Sequence, residues 1–458
     1  MIRFFEQIIA AFFNRLRGRR GEARFEGGKL DLGFRINDGQ MTRGRVTLSN
    51  PQRTRHVVVL GKTGSGKSFF LRYLSQQDVE ADRGFIYFDL HGDDTPYLLQ
   101  VINARERRER RHLSDRVILI DPSDPLMSVG LNPLEQETPD FVRIAEVAEI
   151  LKRHWGLDHF GARTDELLRN ALYVLSANGL TLVELAPLLA DAGFRTTCLK
   201  RVANAEVRQY FALRYDQASE AMRAVMREPI LNKTSAFTAD PKFRHIVGQQ
   251  NSTFSFREAL DEGYWIIVNL AKGRLGGQAV TLGSLIFTML KNALFTRSKR
   301  SLYTVYCDEI QNFVAYGSEI ETVLSEARKT GTGLVSANQF LDQCPQEMRA
   351  ALLSVGTHVF FQLSSVDAAQ VSQALDGGKP LAERLKNLPQ RHCIVKAGSE
   401  RWVEVRVPTV EEPRVDYTDF LNRVRYSRGR VRAHIERDIA KRQALLAEKS
   451  HEGLANYE

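Results

Sequence analysis

Residues 61–68 carry the clearest chemical signature of this sequence. They match the pattern G-x-x-x-x-G-K-S/T without a mismatch, after the apolar run HVVVL and before the helix-forming run SFFLRYLSQ. Glycines in such a loop let backbone N–H groups surround phosphates, and the start of the helix adds partial positive charge. The pattern predicts an ATP site with Mg²⁺, in which Lys67 bridges the β- and γ-phosphates and Ser68 holds the metal. The predicted nucleotide-binding residues are Gly61, Lys62, Thr63, Gly64, Ser65, Gly66, Lys67 and Ser68.

Acidic residues end two other apolar runs and have the chemistry that hydrolysis needs. In SLYTVYCDEIQNF the run ends in Asp308 and Glu309. One carboxylate at a strand end can orient Mg²⁺ through its water shell, and the next can take a proton from the attacking water. We assign the first role to Asp308 and the second to Glu309. Asp89 ends the run in YFDLHGDD, and two roles stay open for it: polarising the metal or water, or capping the following turn.

Two further polar residues lie in SEARKTGTGLVSANQF. Gln339 ends an apolar run, where a side-chain amide can sense the γ-phosphate. Arg328 lies in the polar turn before that run, and an arginine in such a turn more often faces solvent than takes part in catalysis.

The order of apolar runs predicts an α/β fold that positions these residues. Short β-branched runs, each beside a turn or helix signal, predict a mainly parallel sheet with crossover helices. Residues 25–54 predict short strands with Gly-rich turns, whereas residues 137–262 have helical periodicity without convincing strands. The predicted strands are RHVVVLG, GFIYFDL, RVILID, YWIIVNL, LYTVYCDE, TGLVSANQ, HVFFQL, HCIVKA and WVEVRV. A helical module is therefore expected inside an α/β core.

The net charge of +9 and the pI near 9.3 permit a polyanionic partner. Three basic clusters stand out, at 15–24, 105–111 and 423–442. The cluster RERRERR at 105–111 includes two glutamates, which favours a solvated helix face. The cluster at 423–442 is a stronger candidate for DNA contact, since its positive excess is spread along a helix. No known DNA-reading or RNA-binding motif is present in the sequence.

The sequence predicts a cytoplasmic protein. It has no run of about 18 apolar residues, so we expect no membrane-spanning helix. In residues 1–20 the apolar positions precede the arginines, which is the reverse of a signal peptide. This amphipathic helix either docks on protein or contacts the inner face of the cell membrane peripherally. The four cysteines show no metal-ligand spacing and fit a reducing compartment.

The ordered motifs resemble the HerA–FtsK superfamily of P-loop ATPases, and within it the TraG/TraD-type coupling ATPases of conjugation and type IV secretion. The resemblance runs from about residue 45 to 375, and among its motifs the P-loop alone is specific by itself. The segments that carry it are HVVVLGKTGSGKS, FDLHGD, ILIDPSDP, GLNPLE, ILNKTSAF, FSFREALDEGYWIIVNLAKGRLG, VYCDEIQNF and SEARKTGTGLVSANQ.

The resemblance implies a RecA-like core that assembles as a homo-hexameric ring with ATP between subunits. In this family an arginine in the position of Arg328 reaches the neighbouring subunit's nucleotide, and a glutamine matching Gln339 reads its γ-phosphate. Lys272 and Arg274 would face either the nucleotide or the ring pore. Membrane coupling proteins usually begin with two spanning helices, which the sequence does not predict here. We therefore expect either a soluble or peripheral relative, with residues 1–20 touching the membrane, or a protein that works elsewhere.

The expected organisation has five parts. They are an amphipathic basic helix at 1–24, the first part of the ATPase core at 25–136, an all-helical insertion at 137–262, the second part of the core at 263–410, and a basic helical tail at 411–458. In coupling proteins the inserted domain faces DNA or the relaxase.

The expected function is an ATP-driven DNA translocase of the conjugative coupling type. Its partners would be DNA, bound without sequence preference, and relaxase or secretion-channel proteins. One alternative is a HerA-like motor for DNA end processing, defence or genome packaging. The other is a nucleotide-gated scaffold that recruits a DNA–relaxase or protein cargo without moving DNA.

Overall fold

The computed structural model describes residues 28–455, apart from 136–139, 158–160, 314–316 and 341–343. The helix predicted at 1–24 lies outside the described residues. The five predicted domain boundaries stay predictions.

Eleven of the strands form one mixed sheet with the order β2-β1-β12-β11-β10-β3-β9-β8-β4-β7-β5. The seven strands from β10 to β5 in that order are parallel, and the pairs from β10 through β11, β12 and β1 to β2 are antiparallel. The strands are β1 Lys29–Asn37, β2 Gln40–Ser49, β3 Val57–Leu60, β4 Phe85–Asp89, β5 Val117–Ile120, β6 Met127–Ser128, β7 Trp265–Asn269, β8 Tyr303–Asp308, β9 Thr332–Asn338, β10 Thr357–Phe360, β11 His392–Ala397, β12 Val403–Arg406 and β13 Arg430–Val431.

The predicted α/β class with a mainly parallel sheet and an inserted helical module is confirmed. Every residue of β3, β4, β7, β8 and β9 is buried, as expected for parallel strands covered by helices on both faces. The strands and glycine turn predicted over 25–54 are present, but the strands are not short. They form one hairpin of nine- and ten-residue strands, and Asp38 and Gly39 both take positive φ in its two-residue turn.

Helices cover the sheet and build the inserted module. They are α1 Asn50–Arg53, α2 Lys67–Glu80, α3 Asp94–Glu109, α4 Phe141–Trp155, α5 Ala162–Ala177, α6 Leu185–Ala190, α7 Ala192–Leu199, α8 Ala205–Gln209, α9 Glu220–Thr238, α10 Pro241–Val247, α11 Phe256–Glu262, α12 Lys272–Leu275, α13 Gln278–Thr296, α14 Gly317–Glu326, α15 Gln346–Leu353, α16 Ser365–Ala374, α17 Gly378–Lys386, α18 Thr418–Arg428 and α19 Arg432–Ala455. Helices α4 to α11, with the short 3-10 and π turns between them, form what we call the helical module.

The helical module shares its apolar core with the sheet. Its largest buried side chains include Trp155 and Phe211, which belong to the same cluster as Val58 of β3 and Ile266 of β7. Helix α13 joins the two parts, since it packs on α4 and α11 of the module. By length and hydropathy alone α13 could cross a membrane, but 67% of its apolar window is buried inside the protein.

The C-terminal helices return to the body of the protein. Strand β13, between α18 and α19, pairs with β6, and Ile435 and Ile439 of α19 pack on Val183 of the helical module. The segment predicted as a basic helical tail therefore packs against the rest of the chain, at least as far as Arg442, which bonds Glu184.

Candidate nucleotide site

The P-loop is a tight turn between β3 and α2. Strand β3 ends at Leu60, and α2 begins at Lys67. Gly64 and Gly66 have φ of 77° and 116°, in the region that favours glycine. A Cβ at Gly66 would also lie 3.3 Å from the backbone of Arg391, so a side chain there would meet both strain and a close neighbour. The glycines thus shape the loop for close backbone approach to a phosphate.

A cavity of about 280 Å³ lies beside this loop. It brings together most of the predicted site: Thr63, Gly64, Gly66, Lys67 and Ser68 from the P-loop region, and Asp308, Glu309 and Gln339 from the ends of β8 and β9. The other P-loop residues, Gly61, Lys62 and Ser65, do not line the cavity but bond within the loop. The carboxyl ends of adjacent parallel strands thus meet the P-loop, as the sequence predicts.

Lys67 is buried at the base of the cavity. Its Nζ donates hydrogen bonds to the carbonyl oxygens of Gly61 (2.5 Å) and Lys62 (3.1 Å). Burial lowers the pKa of Lys67, and the carboxylates of Asp308 and Glu309 act in the opposite direction. The side chain is therefore a donor held between the loop and two acids, as binding of a phosphate requires.

Asp308 ends β8 and is almost fully buried. Burial raises the pKa of Asp308 to about 7, with the charges of Asp94 and Glu309 adding to the shift and those of His91 and Lys67 opposing it. A cation bound beside this carboxyl would stabilise its ionised form, which burial disfavours. Asp308 and the Ser68 hydroxyl line one cavity, and both are the hard oxygen donors that Mg²⁺ prefers. This donor set fits Mg²⁺ bound together with phosphate oxygens and water.

Glu309 is held in a strained backbone conformation, with φ 56°. Its N–H donates to the carbonyl oxygen of Ala337 (2.7 Å), which fixes it beside β9. Its carboxylate accepts a 2.5 Å hydrogen bond from Nε2 of Gln339, and longer ones of 3.5 Å from Gln311 and Asn312. The carboxylate is thus oriented at the cavity wall, where it can accept a proton from water.

Asp89 caps the turn after β4. Its carboxylate accepts hydrogen bonds from the backbone N–H groups of Gly92, Asp94 and Thr95 and from the Thr95 hydroxyl, at 2.7–3.0 Å. It does not line the cavity. Of the two roles that the sequence left open, the geometry supports the cap.

Three residues that line the cavity were missed by the sequence analysis: Phe69, His91 and Gln390. His91 follows Asp89 by two positions, so its place at the end of β4 was a usable signal. Gln390 lies in the loop before β11 and donates to the Gly64 carbonyl oxygen (3.3 Å). No local pattern marks Gln390, because it reaches the P-loop from a distant part of the chain.

Arg328 is not brought to this cavity. It lies exposed on the 3-10 turn Ala327–Thr330, before β9 and hence at the amino edge of the parallel strands. There it lines a different cavity with Arg55, His56 and Leu324. The P-loop lies at the carboxyl edge, so Arg328 does not reach the nucleotide site of its own chain.

The pair Lys272 and Arg274 lies on the exposed side of α12. Nζ of Lys272 donates to Oδ1 of Asn312 (3.3 Å), next to Glu309, and neither residue lines the nucleotide cavity. Lys272 therefore contacts the turn that carries Glu309.

The basic cluster 105–111 is only partly a solvated face. Arg105 and Glu106 are buried, at 5% and 8% exposure, so the expectation is wrong for these two residues. Arg105 bonds Glu109 and Asp82, and the Glu106 carboxylate accepts from two backbone N–H groups and from Arg423.

Much of the C-terminal cluster 423–442 is paired within the chain. Its ion pairs are Arg423–Glu106, Arg425–Asp124, Arg430–Asp438 and Arg442–Glu184. Glu184 is fully buried, so the last pair fastens α19 to the helical module. These contacts give the paired arginines a structural role.

The comparisons with known proteins agree with this geometry. A family model described as the central domain of the helicase HerA matches residues 36–286. Among curated proteins, none matches the sequence significantly.

Solved structures with a similar fold include the plasmid coupling protein TrwB in complex with the GTP analogue GDPNP. That chain is 17% identical with a TM-score of 0.58, over 87% of this chain and 99% of TrwB. TrwB in complex with ADP and Mg²⁺ is also 17% identical, with a TM-score of 0.54. The match covers 86% of this chain and 97% of that TrwB chain. VirB4 of Thermoanaerobacter pseudethanolicus is 15% identical, with a TM-score of 0.56. The match covers 85% of this chain and 98% of the VirB4 chain. At these identities the likeness establishes a TrwB-like P-loop ATPase fold.

Proposed function

The chain belongs to the HerA central-domain family of P-loop ATPases, whose model matches more than half of it, and from this premise we propose that it is an ATP-driven motor that moves DNA through a ring of identical subunits. The proposal depends on one observation above all. A P-loop lysine, a buried aspartate, an oriented glutamate and a strand-end glutamine share one cavity. A protein that only held nucleotide would not need an oriented proton acceptor there.

In the proposed mechanism the chain's own residues bind, orient and take a proton. Lys67 binds the phosphates, and Ser68 and Asp308 hold Mg²⁺, which neutralises phosphate charge when bound. Glu309 accepts the proton of the attacking water, and Gln339 orients the Glu309 carboxylate. We assign Arg328 to the nucleotide of the next subunit, where a guanidinium stabilises charge on the transferring phosphoryl group.

DNA as the substrate is supported by the family and by charge. The net charge of +9 favours sequence-independent contact with phosphates. The similar solved structures include a plasmid coupling protein, which supports a role in conjugation with relaxase or secretion-channel partners. The C-terminal cluster adds less support than its composition suggests, because much of it is paired within the chain.

A second candidate is a HerA-like motor outside conjugation, in end processing, defence or genome packaging. The family model favours it, since that model describes the helicase HerA. The active-site chemistry is the same for both. Co-purification with a relaxase would support the coupling role, and co-purification with a nuclease would support the alternative.

The test compares wild type, Glu309→Gln and the exposed-surface control Glu400→Gln. We expect Glu309→Gln to bind ATP normally and to lose DNA-stimulated hydrolysis, while Glu400→Gln keeps both. Tracking single wild-type complexes on duplex DNA with ATP then separates a motor from a scaffold, which would bind without moving. Unchanged turnover in Glu309→Gln would contradict the assignment of the base. A cytoplasmic location, with peripheral membrane contact through residues 1–20, stays a prediction.

A further inference from the structure

The turn after β8 receives hydrogen bonds from residues beyond the nucleotide cavity. We call residues 309–313 the catalytic turn. Within it, Nδ2 of Asn312 donates to the backbone carbonyl oxygen of Glu309 (3.0 Å) and to Oε2 of its carboxylate (3.5 Å). Whatever fixes Asn312 therefore helps to fix the carboxylate.

Asn312 is held at its side chain by Lys272 and at its backbone by Ser284 of α13. The Ser284 hydroxyl, fully buried, donates to the backbone carbonyl oxygen of Asn312 (3.4 Å) and lies 2.8 Å from Nε2 of His154. A hydroxyl has one proton, and Ser284 gives it to a carbonyl that can only accept. The tautomer with its proton on Nε2 satisfies both contacts, because His154 then donates to Ser284 and leaves the hydroxyl proton for the Asn312 carbonyl oxygen.

His154 belongs to α4 of the helical module. Burial lowers the pKa of His154 to about 4, and the neighbouring Arg153 charge acts in the same direction. The ring is therefore neutral near pH 7 and carries a single proton. A chain of donors runs from His154 through Ser284 and Asn312 to Glu309.

The helix that carries Ser284 lies unusually close to the catalytic turn. A Cβ added at Gly283 would lie 2.8 Å from the ring of Phe313 and 2.8 Å from the side chain of Leu270. Glycine and serine are both weak helix formers, yet they occupy the middle of α13. The close approach explains why small residues occupy these positions.

Elsewhere along the same two helices, a second contact joins α4 to α13. Nζ of Lys291 and Nδ2 of Asn292 donate to the two carboxylate oxygens of Glu146 at 2.8 and 3.0 Å. Neither of these two bonds involves a residue of the catalytic turn. The contact therefore offers a control that perturbs docking of the helical module without touching the donor chain.

We propose that His154 is a positioning residue for Glu309, through which the helical module sets the rate of hydrolysis. This inference rests on the proposed role of Glu309 as the proton acceptor. It predicts an effect on turnover and none on nucleotide affinity, because His154 and Ser284 do not line the nucleotide cavity.

The experiment uses the full chain and measures ADP affinity and kcat for ATP. We expect His154→Leu and Ser284→Ala to lower kcat by about tenfold or more, as misplacement of a catalytic group does, with an unchanged Kd for ADP. His154→Gln should restore much of kcat, since a glutamine amide N–H reaches the position of Nε2. Lys291→Met, the matched control, should keep the wild-type kcat.

The outcomes separate this inference from the proposed function. If Glu309→Gln abolishes turnover but His154→Leu and Ser284→Ala keep it, the inference is wrong and the proposed function stands. If Lys291→Met loses as much kcat as His154→Leu, docking of the helical module alone explains the loss and the inference is wrong. The inference is also wrong if His154→Gln fails to restore kcat. If Glu309→Gln keeps full turnover, Glu309 is not the proton acceptor, and the proposed function is contradicted before the role of His154 is tested. Should His154→Leu not fold, Ser284→Ala, which removes only one oxygen, decides the outcome.

Discussion

The side-chain amide of Gln339 donates a 2.5 Å hydrogen bond to Oε1 of Glu309, and its own oxygen accepts a 2.9 Å bond from the Thr63 hydroxyl. The P-loop, the glutamine at the end of β9 and the acid after β8 are thus joined by two bonds. Movement of the P-loop on phosphate binding can therefore shift Gln339 and, through it, the Glu309 carboxylate. Gln339 therefore has the connections of a γ-phosphate sensor as well as those of an orienting residue.

Loss of this bond should lower turnover without weakening binding. For Gln339→Ala we expect kcat to fall by roughly tenfold to a hundredfold, because the carboxylate loses its shortest hydrogen bond. ADP affinity should stay within about twofold, since this nucleotide lacks the γ-phosphate that the amide senses. Steady-state kinetics and ADP titration check this. Gln362→Ala is the matched control, because that side chain donates to the Lys386 carbonyl oxygen instead. A large loss of ADP affinity would contradict the prediction.

The raised pKa of Asp308 should make the stability of the metal-free protein fall with pH. Its pKa is about 7 in the folded chain against an ordinary 3.8, so the folded state holds this proton more tightly than the unfolded state. The contribution of Asp308 to stability is fully present below about pH 4 and is lost as the pH rises to 7, by roughly 4 kcal/mol at about 1.4 kcal/mol per pKa unit.

Asp308→Asn removes this dependence. In EDTA and without nucleotide, we expect the Tm of this variant to exceed that of wild type by a margin that grows from pH 5 to pH 8. The exposed Asp93→Asn serves as the control and should show no such trend. A margin that is constant, or that shrinks with pH, would show that burial of this carboxyl does not govern the effect.

The parts of this site that the sequence predicts are those set by local backbone rules. Glycines and a strand–turn–helix context specify the P-loop around Lys67, and strand ends specify Asp308 and Glu309. Parallel strands end at the same edge of a sheet, so these residues meet without knowledge of the full topology.

The parts that the sequence does not predict depend on pairing between distant segments. Gln390 reaches the P-loop from more than 300 positions away, and Arg423 finds Glu106 across a similar separation. A basic cluster looks alike in composition whether its charges meet DNA or carboxylates of the same chain. Only the packing of α18 and α19 distinguishes the two cases for residues 423–442.

A buried ion pair beneath the P-loop helix should dominate the stability of this region. Nη2 of Arg53 donates to Oδ2 of Asp78 (2.6 Å) and to the Thr304 hydroxyl (2.8 Å), and the Tyr306 hydroxyl donates to the same Asp78 oxygen. Arg53 and Asp78 are 2% and 0% exposed. Removing Asp78 leaves the buried Arg53 charge uncompensated, which costs about 3–5 kcal/mol. Removing Arg53 costs less, because Asp78 keeps a longer 3.6 Å ion pair with Arg83.

Asp78→Leu is therefore expected to lower the midpoint of urea unfolding strongly, and Arg53→Met to lower it less. The double variant should be less destabilised than the two single effects added together, because no lone charge stays buried. Arg55→Met, two residues away and exposed, should unfold like wild type. Strict additivity of the two single effects would exclude direct coupling between Arg53 and Asp78.

Arg328 should act on a nucleotide held by another subunit. It lies at the amino edge of the sheet and the P-loop lies at the carboxyl edge, so one chain cannot bring both to the same phosphate. We expect Arg328→Ala to bind ATP normally and to lose most of its turnover, whereas Lys329→Ala, exposed on the same turn, should keep it.

Lys67→Ala should also be inactive. Mixing the two inactive variants creates some interfaces with an intact lysine on one side and an intact arginine on the other, so part of the activity should return. A mixture as inactive as its components, or an Arg328→Ala protein with normal turnover, would exclude this arginine from the neighbouring site.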